Sequence, residues 1–173
     1  VSAASRSRVP ETAMSFFRGL IAVKRELKTT TRAVASVETA NATVNDILCR
    51  SMAHLYMLMT STPDGLYPYA GIPWYSTTFG RDGIIAAMQM LWVDPAIARG
   101  VLRRLARLQA ALVDKSADAA PGKILHEMRG GEMAALHEVP FRQYYGTVDA
   151  TPLFVVLAGQ YADYLLVSLK GYM

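Results

Sequence analysis

Two stretches of the chain end alike. GIPWYSTTFGRD (71–82) and VPFRQYYGTVD (139–149) each bring aromatics, a glycine and an aspartate to the start of an apolar, helix-like run. Asp82 and Asp149 are 67 residues apart, enough for a helical hairpin and its loop. Such repetition is what a ring of αα-hairpins produces at one rim. Trp74, Tyr75, Phe79, Tyr144 and Tyr145 fall in the loops, where large aromatics serve no helical core face. Flat apolar faces beside Arg81, Asp82 and Asp149 suit a sugar ring, which presents C–H faces and hydroxyl edges. Guanidinium donors and carboxylate acceptors complement each other on adjacent hydroxyls. Helix capping is the alternative use of both aspartates, and loop packing that of Phe79 and Phe141.

The middle of the second loop, GKILHEMRGGEMAALHEV, carries His126, Glu127, Arg129, Glu132, His137 and Glu138. A helical zinc motif needs two histidines one turn apart. Here Arg129-Gly130 follows His126-Glu127, and His137 lies eleven positions after His126, so no metal site is expected. Glu127 and Arg129 read as substrate-contacting or supporting groups, and Glu132 and Glu138 as solvated charges. His54 reads as a partly buried structural histidine. No glycine-rich phosphate loop or nucleophile elbow occurs, and the nine methionines read as core. No organic cofactor is implied.

Four helical stretches must position these groups. Val44, Ile47, Leu48, Met52, Leu55 and Met59 recur at three- and four-residue spacing behind Asn41 or Thr43 as caps. A second stretch, 82–93, is apolar on most sides, as in a helix enclosed by others. Asp94-Pro95 opens a third, running to Leu112 with Arg99, Arg103 and Arg107 as an exposed row. Thr151-Pro152 opens a fourth, through Phe154, Leu157, Tyr161 and Leu165. Segments 61–81 and 114–150 read as long functional loops. The fold class expected is all-α.

Length and composition fit this reading. The 173 residues are 52% hydrophobic and 18% charged, enough for one folded domain. With Cys49 the only cysteine, no intrachain disulfide is possible. Residues 1–50 carry eight Lys/Arg against four Asp/Glu, whereas 51–173 carry ten of each. The net charge of +4 is thus confined to the N-terminal part, and the chain does not read as a nucleic-acid binder. No uninterrupted apolar run reaches the roughly 18 residues of a membrane span, so no membrane partner is expected and the location expected is cytoplasmic. Residues 1–40 read as a basic approach segment entering from an upstream region, because the chain starts at Val1 and the segment lacks a secretory apolar core.

The run YPYAGIPWYSTTFGRDGIIAAMQMLW, then PGKILHEMRGGEMAALHEVPF, then YYGTVDATPLFVVLAGQYAD, resembles the catalytic domain of bacterial amylo-α-1,6-glucosidase (glycogen-debranching-type) proteins. The resemblance spans roughly residues 40–164. It implies an (α/α)6 toroid, related to those of glucoamylase, trehalase and neutral invertase, of which residues 41–173 would form the first helical hairpins. It also implies hydrolysis of an α-glucan or oligosaccharide with inversion. By resemblance Trp74, Arg81 and Asp82 line the subsite for the non-reducing sugar, with Tyr75, Glu127, Arg129 and Tyr145 nearby, and Asp149 is the general acid. An acid at a helix N-terminus has its ionised form favoured, so burial or a neighbouring carboxylate must raise its pKa.

A six-hairpin toroid needs many more helices than four. The family's catalytic base comes from later in the domain, and the only acid after Asp149 is Asp163, inside a helix. The chain is therefore expected to be a fragment, inactive alone, with unburied helix faces prone to self-association. A non-catalytic helical module binding carbohydrate or protein is the alternative. Within enzymes, a trehalase- or invertase-like glycosidase is another.

Overall fold

Cap chemistry starts two of the helices where the sequence predicts. In a computed structural model of the chain, helix α1 spans Ala42–Leu58, and the Asn41 side chain accepts the N–H groups of Thr43 at 2.9 Å and Val44 at 3.3 Å. The structure describes residues 35–130 and 142–170, and the described residues from 36 onward form one compact unit. Helix α2 spans Gly80–Met90, α3 Pro95–Arg107 and α4 Ala150–Lys170. At α3, Asp94 Oδ1 accepts the Ala96 N–H at 3.1 Å, and Pro95 fills a first-turn position whose N–H has no helical partner. The helices make up about half of the described residues.

The segments read as loops also hold short strands. Strand β1, Met59–Thr62, pairs antiparallel with β2, Gly65–Pro68, so the chain leaves α1 directly into a hairpin. Gly65 sits at φ +126°, a conformation that disfavours side chains, and its Cα side faces Gly100 of α3. A Cβ on Gly100 would collide with the Leu66 backbone, so the glycine permits the hairpin to lie directly on α3. Strand β3, Glu127–Met128, pairs antiparallel with β4, Gln143–Tyr144. Phe79 bridges to Glu127 on the other side of β3.

The core lies between α2, α3, α4 and β2. It contains Tyr67, Ile84, Ala87, Ile97, Val101, Leu105, Leu125 and Leu157, all fully shielded. Helix α1 has the predicted period but buries none of its residues. Val44, Ile47 and Leu48 stay exposed, and His54, expected to be partly buried, is exposed too. Only Ala150 and Leu157 of α4 are buried, while Val155, Val156, Leu166, Val167 and Leu169 face outward. Helix α4 is long and apolar enough, by length and composition, to cross a membrane. Counting uninterrupted apolar residues missed this, because Gln160 and Asp163 divide it.

Candidate functional site

The two loops converge on β3. The Gly80 N–H donates to the His126 carbonyl at 2.9 Å, and the Met128 N–H to the Thr78 carbonyl at 2.9 Å. The Thr77 hydroxyl donates to the Met128 carbonyl at 2.9 Å. From the other side, the His126 N–H donates to the Tyr144 carbonyl at 2.8 Å. Residues 77–80, 126–128 and 142–144 are thereby laced edge to edge, which sets the N-termini of α2 and α4 side by side.

Across that junction, Arg81 Nη1 lies 3.3 Å from Asp149 Oδ2. The other carboxylate oxygen, Oδ1, accepts from the Thr147 hydroxyl, and the Asp149 N–H reaches Thr147 Oγ1 at 3.4 Å. Asp149 immediately precedes α4, and the Leu153 N–H donates to its carbonyl at 3.0 Å. Its side chain is nevertheless engaged by Thr147 and Arg81. Asp82 lies in the first turn of α2, exposed and past the capping position at Phe79.

These contacts fix the electrostatics of the pair. The Thr147 hydroxyl, then the Arg81 guanidinium, hold the Asp149 carboxyl below its usual range, against a smaller opposing effect of burial. Its side chain keeps 36% of its exposure. The sequence asks for burial that raises a general acid's pKa; here burial is outweighed by hydrogen bonding to the charged form.

Arg81, Thr147 and Asp149 line a cleft of about 820 Å³ together with Asp118, Lys123, His126 and Thr151. Lys123 Nζ lies 3.2 Å from Asp118 Oδ1, so a second cation–carboxylate pair faces the same space. His126 stacks edge-on to Tyr144, ring centroids 6.0 Å apart, and its buried Nδ1 has no hydrogen-bond partner among the described residues. Lys123 and Thr147 lie within the quoted sequence motifs, but their types alone did not mark them, and His126 was weighed there only as a metal ligand. The signal available was proximity, four residues or fewer, to Asp149 or Glu127.

The remaining site residues divide. Trp74 is 87% exposed and Tyr75 also stands out, its ring edge-on to Phe79 at 5.9 Å. They share the Arg81 loop but do not line the cleft. Glu127 and Arg129 pair with each other at 2.7 Å. Arg129 opens instead onto a second cleft, of about 850 Å³, with Gln109, Asp114, Arg142, Gln143 and Tyr145. Tyr145, expected near the sugar, is buried, and its hydroxyl donates to the Leu108 carbonyl at 2.8 Å with Gln143 Oε1 at 3.0 Å. Burial raises its pKa. Glu132, His137, Glu138 and Phe141 lie outside the described residues. Among the described residues no three His, Cys, Asp or Glu side chains cluster as a metal site.

No family model matches the chain, and no curated protein matches it. What the arrangement can do therefore rests on its chemistry. Two donor–acceptor pairs around an open cleft are suited to a neutral polyhydroxylated ligand: each pair can exchange its internal contact for two hydroxyls.

Proposed function

We propose that this chain carries the sugar-binding side and the general acid of an α-glucan-directed glycoside hydrolase of the glycogen-debranching type, folded as part of an (α/α)6 toroid. The observation that carries the reading is the 3.3 Å contact of Arg81 with Asp149, which joins two motifs 68 residues apart in one cleft. In this reading Trp74 and Tyr75, exposed on the Arg81 loop, supply apolar faces, Arg81 and Asp82 hydroxyl contacts, and Glu127 and Arg129 a supporting pair. No metal or organic cofactor enters the reaction.

The geometry suggests how Asp149 becomes an acid. Unliganded, it is held ionised by Thr147 and Arg81. Sugar hydroxyls that take up the Arg81 donors would remove one of those interactions, and exclusion of water by the bound sugar would have to raise the carboxyl the rest of the way. Hydrolysis needs a second carboxyl to activate water, held further away in inverting enzymes. In this proposal it comes from a segment outside these 173 residues. Trehalose and sucrose, as in trehalase- or invertase-like enzymes, are the competing substrates.

One observation favours a non-catalytic carbohydrate-binding module instead: an exposed, ionised Asp149 is better placed to accept hydroxyls than to deliver a proton. Glucose release from isomaltose and maltooligosaccharides separates the two. The enzyme reading expects none from the 173 residues and turnover from the chain extended through its downstream coding sequence, abolished by Asp149→Asn. Sugar binding without turnover in both establishes the module.

A further inference from the structure

We propose that Arg104, anchored by Asp64, positions the Arg81–Asp149 pair by holding Thr78. The proposal rests on the reading of that pair as the site and adds residues remote from the cleft. Asp64, in the turn between β1 and β2, takes Arg107 through Nε at 2.8 Å and Nη2 at 2.7 Å, and Arg104 Nη1 at 3.4 Å. Arg104 Nε then donates to the Thr78 hydroxyl at 2.7 Å. Its guanidinium lies 5.7 Å from the Tyr67 ring centroid, and the Tyr67 hydroxyl donates to the Phe79 carbonyl at 2.8 Å. The same two loop residues are met from the other side by β3, through Met128 and the Glu127 bridge.

Residues 78 and 79 are therefore clamped between α3 and β3, and Arg81 follows two residues later on the first turn of α2. The clamp is buried: Thr78 and Tyr67 are fully shielded, and the Asp64 and Arg104 side chains each retain 11% exposure. Burying an ion pair is an inefficient way to stabilise a fold, since apolar packing of the same volume does as well or better. Its directional value is different. A forked guanidinium fixes the hydroxyl it bonds within a narrow geometry, and supporting contacts of this kind set the precision of the groups they carry. The Arg81–Asp149 contact, 3.3 Å long and formed at the surface, has little of its own to hold it.

The test reads Asp149 directly, by ¹³C NMR titration of its carboxyl without sugar. Arg81→Gln defines the value when the contact is lost. Thr78→Val, which keeps the shape and removes the hydroxyl, is expected to move the Asp149 pKa upward toward that value, as is Arg104→Lys. Thr78→Ser should restore the parent value. A merely structural role would lower the melting temperature and leave the titration in place. A folded Thr78→Val protein with the parent titration overturns the proposal. If Thr78→Val does not fold, Asp64→Asn, which removes only the anchoring charge, carries the same readout with the same two outcomes. Failure to bind isomaltose would strike the carbohydrate reading alone, because the titration contains no sugar.

Discussion

The guanidinium of Arg81 and the carboxylate of Asp149 meet at 3.3 Å across the N-termini of two helices, with Thr147 on the other carboxylate oxygen. The pair joins the two loops on which the functional reading depends. Its strength is modest, because exposed ion pairs contribute at most about 1 kcal/mol. Its value lies in where it puts one cation and one carboxylate.

The ionisation of Asp149 follows from its two partners. Its pKa in the folded chain is lowered, so the stability it contributes is complete above the ordinary carboxylate range and is lost as pH falls through the folded value. Thr147→Val and Arg81→Gln should each raise the Asp149 pKa in a carboxyl NMR titration, Thr147→Val more. An unchanged titration in both variants would mean that neither contact forms in solution.

Asp64 is the stability counterpart. The Arg107 hydrogen bond, followed by the charges of Arg107 and Arg104, holds its carboxyl below the usual range against the opposing effect of burial. Asp64→Ala leaves a buried guanidinium unsatisfied and should cost about 2 kcal/mol, measured by denaturant unfolding. The sign of the pH dependence is the same as for Asp149: stability falls on acidification, and Asp64→Asn should flatten that slope. A parent-like melting temperature in Asp64→Ala would contradict the clamp.

Trp74 separates function from folding. At 87% exposure it contributes little to the core, so Trp74→Ala should change unfolding free energy by less than about 0.5 kcal/mol. If its face carries a sugar ring, affinity for maltooligosaccharides should fall about tenfold, equivalent to about 1.4 kcal/mol. Isothermal titration of the variant gives both directions a clear result: retained affinity removes Trp74 from the site.

Tyr145 is expected to behave in the opposite way. Its buried hydroxyl bonds the Leu108 carbonyl at the end of α3. Tyr145→Phe should lower stability by about 1 kcal/mol and leave sugar affinity unchanged. Weakened binding at unchanged stability would return Tyr145 to the sugar site.

Helix starts were legible because they are local chemistry: Asn41, and Asp94 followed by proline, bond the first free N–H groups within their own turn. The end of α3 at Arg107, rather than Leu112, was not, because Leu108 and Ala110 go on supplying apolar residues to the core after the helix has ended. The strands escaped notice because ladders of two or four residues are too short for alternation to emerge, and the partners of β3 lie up to 17 residues away along the chain. The juxtaposition of Arg81 and Asp149 was suggested by two similar loop endings. The burial of Tyr145 was invisible, since loop tyrosines that face a ligand and those that pin a backbone carbonyl look identical in sequence. The Asp64–Arg104–Thr78 clamp joins residues 26 and 40 positions apart with no local pattern to announce it.

The most direct test of the central claim is an isomaltose and maltotriose titration of the chain, followed by NMR at the Arg81 Nε and Trp74 indole signals. Saturable shifts at Arg81, lost in Asp149→Ala, are the predicted result. Absence of any shift at Arg81 up to high millimolar sugar would contradict a carbohydrate site in this cleft.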